Sequence, residues 1–565
     1  MQVQTAENHD NQLSNLLITS GIIKERDLKD IAIVAKNTGI SVYDTLIEKN
    51  IASDETLGQM VANSIGFPFV ILSKIAVSDD LFGVTPEKVA RRLKVIAFER
   101  SENEIKLAMN TPGNKAIIDS FVKKTNCNII PYYATLKDIH NALRIFRQAL
   151  QTACDRLLKE EINKTSTLLP DEAPITKIVD LIVDYAYDDK VSDIHIEPEE
   201  KSSLIRFRID GLLHDVLRLP KNLHDRIIAR IKVLSRLRTD EHLSAQDGKM
   251  MIKIEQENLD IRVSIIPVAD GEKAVLRLLA SKRSSFTLTN LGLDDDDFIK
   301  VSKAISKSYG MVLSTGPTGS GKTTIIYTIL KMINIRERNI TTIEDPIEYR
   351  ITGANQIQVN SKTNLTFANG LRSILRQDPN IIFVGEIRDN ETAGIAVNAA
   401  LTGHLVLSTL HTNDAGTAIP RLIDMKVEPF LVASTVNLII AQRLVRKICD
   451  MCKTAYIAQL NDLQQHFPLP LIKKYLGNDL QFTVFKGKGC KICRNSGFLG
   501  RVGVFEVLEV SNEIKRLITL KSNAEDISKQ AIAEGMKTMM EDGLYKIARG
   551  LTTIEEVIRV TKVET

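Results

Sequence analysis

The eleven residues Ser314-Thr-Gly-Pro-Thr-Gly-Ser-Gly-Lys-Thr-Thr324 constrain the fold of this chain more than any other stretch. Gly316 and Gly321 bracket Pro317, Thr318, Gly319 and Ser320, and Lys322, Thr323 and Thr324 follow. The spacing is G-x-x-x-x-G-K-[ST], which acts as a phosphate cradle when it joins a strand to a helix. Both flanks are present. Gly310-Met-Val-Leu-Ser314 reads as a short buried strand, and the apolar run after Lys322 reads as a helix. Glycines let the chain curl so that backbone N–H groups and the helix N-terminus face a phosphate. In such a loop Lys322 neutralises β- and γ-phosphate oxygens and the Thr323 hydroxyl ligates Mg²⁺. A glycine-rich turn that merely starts a helix would leave the Lys-Thr pair unexplained.

Three later segments carry acids and histidines that suit phosphoryl transfer. Ile340-Thr-Thr-Ile-Glu-Asp-Pro-Ile-Glu-Tyr349 is a β-branched run that ends in Glu344, Asp345 and Glu348, with Pro346 stopping the strand. An apolar strand is expected at Ile381 to Val384, with Gly385-Glu386 directly after it. Glu386 is placed to hold or orient a Mg²⁺ shell. His404 and His411 stand at the two ends of another strand-like run, on opposite faces by period-two geometry. A lone carboxylate after a strand is commonly a solvated loop residue, and a histidine there is often structural.

In this order the P-loop, Thr341-Thr-Ile-Glu-Asp-Pro-Ile-Glu348, Val384-Gly-Glu-Ile-Arg-Asp389 and Thr402-Gly-His404 through Asp414 resemble the Asp box, Walker B and His box of the secretion-ATPase superfamily. Ser192-Asp-Ile-His-Ile-Glu-Pro198, Arg206-Phe-Arg-Ile-Asp-Gly211 and Gln246-Asp-Gly248 resemble its PilB/GspE branch, the motors of type IV pilus assembly and type II secretion. The resemblance implies an α/β fold: a RecA-like P-loop motor domain, a middle α/β domain, and an N-terminal part that is helical and then α/β. It implies an ATP hydrolase, hexameric, cytoplasmic and peripheral to the inner membrane through a platform protein. It also implies that Glu344 polarises the attacking water, that Glu348 and Glu386 support the metal, and that His404 and His411 sense or bridge toward the nucleotide. Pilus assembly is the expected task and type II secretion the alternative.

Arg206 and Arg208 alternate on one strand, Leu204 to Ile209, so both guanidinium groups lie on one face. Arg262, in Asp260-Ile-Arg-Val-Ser264, is expected to join them from a neighbouring strand. By the resemblance these arginines close over ATP and stabilise charge on the transferred phosphoryl group. The plain alternative is a solvated face with surface ion pairs to acids such as Asp210.

Four of six cysteines form Cys449-x-x-Cys452 and Cys490-x-x-Cys493. Two such knuckles supply four thiolates for a tetrahedral Zn²⁺, and the interval between them implies an inserted element over Gln459 to Leu480. Disulfides are the other reading of such pairs. The absence of a basic-then-apolar leader argues for the reduced, metal-binding form. Cys127 and Cys154 read as buried thiols.

The chain has 565 residues, 44% hydrophobic and 25% charged, which predicts three or four domains. A net charge of +4 and the lack of tryptophan argue against a nucleic-acid translocase. A nucleotide-switched scaffold is a further rival, separated from a motor by phosphate release. The expected boundaries are 1–150 for an N-terminal docking domain, 151–174 for a linker, 175–280 for the middle domain, 281–291 for a hinge and 292–565 for the motor, with a zinc element at 445–500. Related N-terminal regions bind cyclic di-GMP through a pattern beginning Arg-Leu-Gly; here Gln12-Leu13-Ser14 stands in that place, and Gln cannot supply the planar bidentate contact of Arg.

Overall fold

A computed structural model describes residues 42–48, 52–75, 81–85, 87–145, 152, 154–158, 175–254, 257–279, 286–490 and 492–561. Gln12 to Leu17, most of 151–174 and 281–285 lie outside these residues. Helices at Val42–Glu48 and Asp54–Ile65 precede the first sheet. The Ser53 side chain caps the second helix by accepting from Thr56 N–H at 3.0 Å. In the strands β1 (Val95–Arg100), β2 (Glu104–Met109) and β3 (Asn128–Tyr133), β1 pairs antiparallel and β3 parallel to β2. Alternate apolar residues bury on both sides, Ile96, Phe98 and Ala108 on one and Val95, Ala97 and Leu107 on the other. Helices cover both faces of this small sheet, contributing Ile139 and Phe121 respectively.

The second sheet contains β4 (Asp193–Pro198), β5 (Ser202–Ile209), β6 (Leu212–Pro220), β7 (Gln246–Ile254), β8 (Glu257–Val268) and β9 (Gly271–Leu279). Its order is β6-β5-β4-β9-β8-β7 with every neighbour antiparallel. Period-two alternation splits it cleanly. Ile194, Ile205 and Phe207 bury against Ile178, Ile182, Ile227 and Ile231 of the helices Ile175–Asp188 and His224–Leu234. Each such side chain contributes roughly 1.5–3 kcal/mol, so this face fixes the packing and leaves the opposite face to charged residues. Arg206 and Arg208 do share a strand, but β4 and β9 lie between β5 and β8, so Arg262 is three strands away and not on a neighbour of theirs.

The third sheet carries the P-loop. Its strands are β10 (Gly310–Thr315), β11 (Ile340–Glu344), β12 (Ala354–Gln358), β13 (Ile381–Val384), β14 (Leu405–Leu410) and β15 (Val436–Ile448); then, after β16 (Lys453–Gln459) and β17 (Gln481–Gly487), β18 (Phe498–Glu509). The order is β12-β11-β13-β14-β10-β15-β18, parallel throughout except for β18. β10, β11, β13 and β14 are buried at every position, as a parallel sheet covered on both faces requires. β16 and β17 form a separate hairpin between the cysteine pairs. With Leu463, Phe467 and Ile472 they pack on Leu544, Ile547 and Val557 near the C-terminus. The fold is the expected α/β architecture, with the P-loop on the largest sheet. Among the described residues no helix is long and apolar enough to cross a membrane.

Candidate functional site

β10 ends at Thr315, and the helix Lys322–Ile333 begins seven residues on, so Gly316 to Gly321 form the loop between them. Gly316, Gly319 and Gly321 have φ of 145°, 78° and 94°. These conformations need glycine, and so does the space. A side chain at Gly316 would run into the Gln442 carbonyl of β15, and at Gly321 it would meet Gln442 Nε2 at 2.7 Å. Lys322 is 8% exposed. Its Nζ donates to the carbonyls of Gly316 at 2.7 Å and Pro317 at 3.0 Å. Burial holds its pKa below the ordinary lysine value, against the opposing pull of Glu386.

The loop fits a polyphosphate. Among the described residues the buried hydroxyls of Ser314 and Ser320 have no hydrogen-bond partner. Phosphate oxygens accept from hydroxyls, and Thr323 and Glu386 offer the hard oxygen donors that Mg²⁺ takes.

Glu344 ends β11, and Glu386 lies two residues beyond the neighbouring strand β13. Gly385 lies so close to β11 that a Cβ there would sit 3.2 Å from Glu344 Cα. Glu386 Oε1 pairs with Arg388 at 2.6 Å and Oε2 with His411 Nε2 at 3.1 Å. Glu344 is only 2% exposed. Its Oε1 accepts from Thr342 Oγ1 at 2.6 Å and Gln356 Nε2 at 3.1 Å, and its Oε2 from the Tyr327 hydroxyl. Burial pushes its carboxyl above the ordinary glutamate range, although all three hydrogen bonds oppose the rise. The two histidines part company. His411 is at the site, whereas His404 Nδ1 pairs with the Ala399 carbonyl at 2.9 Å and closes the turn before β14.

The arginines are spread over the charged face of the second sheet. Arg206 pairs with Glu197 at 2.7 Å. Arg208 lies 3.6 Å from Asp193 and donates to the Gly211 carbonyl at 3.0 Å. Arg262 alone of the three reaches the segment after β11, donating to the Ile347 carbonyl at 2.8 Å with Glu348 at 4.0 Å. Arg277, absent from the expected set, stands between them: Arg208 is opposite Asp193, Asp193 opposite Arg277, and Arg277 opposite Arg262 in a row across four strands. Its signal was the alternation Lys273, Val275, Arg277 on β9, which puts it on the same face.

The four knuckle sulfurs lie within 4.8 Å of one another, with Sγ–Sγ distances of 3.9 Å for Cys449–Cys490, 3.8 Å for Cys452–Cys493 and 3.7 Å for Cys490–Cys493. A tetrahedron of thiolates about 2.3 Å from zinc has edges of about 3.8 Å. The set therefore fits Zn²⁺. Burial works against ionisation of Cys493, but the N–H groups of Cys490 at 3.1 Å and Gly497 at 3.3 Å point at its sulfur, and the thiol falls to about 7.

Two family descriptions match. Type II/IV secretion system protein covers residues 169–559, and MshEN domain covers residues 65–153. The type IV pilus assembly ATPase PilB of Myxococcus xanthus is 37% identical over 97% of this chain and 98% of its own. Type II secretion system protein E of Pseudomonas aeruginosa is 43% identical over 72% of this chain and 80% of its own. The X-ray structure of the Legionella pneumophila ATPase DotB shares the fold, with a TM-score of 0.51 at 23% identity, covering 70% of this chain and 98% of DotB. With the P-loop and a family match across the second and third sheets, the chain belongs to the type II/IV secretion system protein family and is an ATP hydrolase.

Proposed function

We propose that this chain is the motor of type IV pilus assembly, a cytoplasmic hexameric ring that uses ATP hydrolysis to move an inner-membrane platform protein. The observation that supports the chemistry is the glycine loop that holds Lys322 buried at the end of β10, with Glu386 near enough to act on its charge. The likeness to a pilus assembly ATPase over 97% of this chain, against 72% for a type II secretion relative, favours the pilus because it includes the N-terminal region.

In this reading the residues Gly316 to Thr324 cradle the β-phosphate, and Lys322 exchanges the carbonyls of Gly316 and Pro317 for phosphate oxygens. Thr323 and Glu386 would hold Mg²⁺, which neutralises phosphate charge when bound. Glu344 polarises the water that attacks the γ-phosphorus as the ADP oxygen leaves. His411 orients Glu386. Arg206, Arg208 and Arg262 stabilise the developing charge as the two domains close, where an arginine contributes roughly 10³-fold or more. The four cysteines hold a structural Zn²⁺ with no open coordination position. The N-terminal region docks on the membrane partner, and cyclic di-GMP binds weakly or not at all for want of an arginine at Gln12.

Deleting the gene tests the assignment. Surface pili, counted by electron microscopy, should vanish and return with the wild-type gene but not with Lys322→Ala. Intact pili with lost protein secretion would make this a type II secretion motor.

A further inference from the structure

Tyr327 is a wholly buried phenol that the chemistry above does not use. It lies on the helix that begins with Lys322, five residues along, about 7.5 Å up the axis. Its ring stacks on Tyr349 at 4.2 Å between centroids and meets Phe383 of β13 edge-on at 6.0 Å. These contacts fix the ring. Its hydroxyl donates to Glu344 Oε2, and it is approached by Glu348 N–H at 3.3 Å and by Gln356 Nε2 at 3.5 Å. Two residues of the Asp box and Gln356 of β12 thus meet at one oxygen on the P-loop helix.

Among the described residues no other donor reaches Oε2 of Glu344, while its Oε1 is held from within β11 by Thr342 and from β12 by Gln356. The link between this acid and the element that carries Lys322 is therefore the Tyr327 hydroxyl. A helix moves as a unit, so any shift of Lys322 toward a phosphate is carried to that hydroxyl. We propose that Tyr327 is a positioning residue that sets the orientation of Glu344 from the P-loop helix. This rests on the reading of Glu344 as the residue that polarises water.

The test uses the full-length protein, with steady-state phosphate release, calorimetric ATP binding and thermal melting. Tyr327→Phe keeps the stacked ring and removes one oxygen. It should lower kcat roughly 10- to 100-fold while ATP affinity stays within about twofold, because the lost bond to a carboxylate acts on the chemical step alone. Gln356→Leu, which removes one of the two donors to Oε1 and the amide that approaches the Tyr327 hydroxyl, should show the same split more weakly and serves if the first variant fails to fold. A wild-type kcat in Tyr327→Phe, with Glu344→Gln inactive, overturns the positioning role and leaves the reading of Glu344 standing. Parallel losses of kcat and ATP affinity also overturn it, since they mark a structural defect. A Glu344→Gln variant that turns over like wild type removes the reading beneath the proposal.

Discussion

Glu556 shows how a single carboxylate can hold the end of this chain. With its side chain 2% exposed, it accepts from Arg446 Nη2 at 2.6 Å, from Arg446 N–H at 2.8 Å and from Arg559 Nη2 at 2.8 Å. Burial alone would raise its pKa, but the two arginines reverse this and bring it from an ordinary 4.5 down to about 2. Because the folded value lies below the unfolded one, its contribution is complete above the ordinary glutamate pKa and fades as the pH falls toward 2. The size is about 3 kcal/mol. The stability gap between wild type and Glu556→Gln, from urea titrations, should therefore be wide above about pH 5 and narrow toward about pH 3. An equal gap at both ends would show that packing, not charge, holds the terminal helix. Legibility at this scale followed spacing. Glu386 and Lys322 were readable because their motifs fix them relative to strand and helix. Arg277 and Tyr327 were not, since an arginine on an alternating strand or a tyrosine in an apolar helix has an ordinary reading, and their partners lie far away in the chain.

Among the elements, the apolar runs of β10 and β13 were plain in the sequence because both faces of a parallel strand are buried. The stretch from Leu422 to Ile440 was not. It resolves into the end of the helix Ala418–Asp424, the whole of the helix Pro429–Thr435 and the start of β15, three elements whose boundaries its mostly apolar composition does not mark. The knuckles were legible from their spacing, yet their setting was not. Gly487 and Gly497 approach so closely that a Cβ on Gly497 would sit 2.6 Å from the Gly487 carbonyl oxygen. Arg494 and Asn495 take φ of 53° and 60°. Such strained turns need an external tie. Purified protein should carry one zinc per chain by elemental analysis, and chelation or Cys490→Ser should lower the melting temperature while Mg²⁺-ATP binding survives in the folded fraction. A metal-free protein with full thermal stability would remove the zinc site.

On the scale of the whole chain, strand order could not be read, because it depends on pairings between distant segments. Among the described residues, contacts at three places tie the second sheet and its helices to the third. Arg262 donates to the Ile347 carbonyl at 2.8 Å, Asp210 accepts from Gly500 N–H at 2.8 Å, and Asp189 pairs with Arg494 just beyond the second knuckle. Burial depresses the pKa of Arg262, but an arginine stays charged, so this cation is held beside the Asp box at all working pH. Arg262→Ala should cut ATP turnover by roughly 10²-fold or more while leaving ADP affinity near wild type, since Lys322 and the loop still hold the β-phosphate. Equal losses of ATP and ADP affinity, measured by calorimetry, would place Arg262 in the support of the fold instead.

The pairing of β18 with β15 has a consequence for synthesis. β15 leaves the ribosome well before its antiparallel neighbour, with the whole knuckle insertion made in between. Until Phe498–Glu509 has emerged, β15 presents an unpaired apolar edge next to the strand that leads into the P-loop. A nascent chain must therefore be shielded over that interval, and a product that stops short of Phe498 keeps the bare edge for good. Such a fragment is a substrate for proteases rather than a stable competitor of the complete chain.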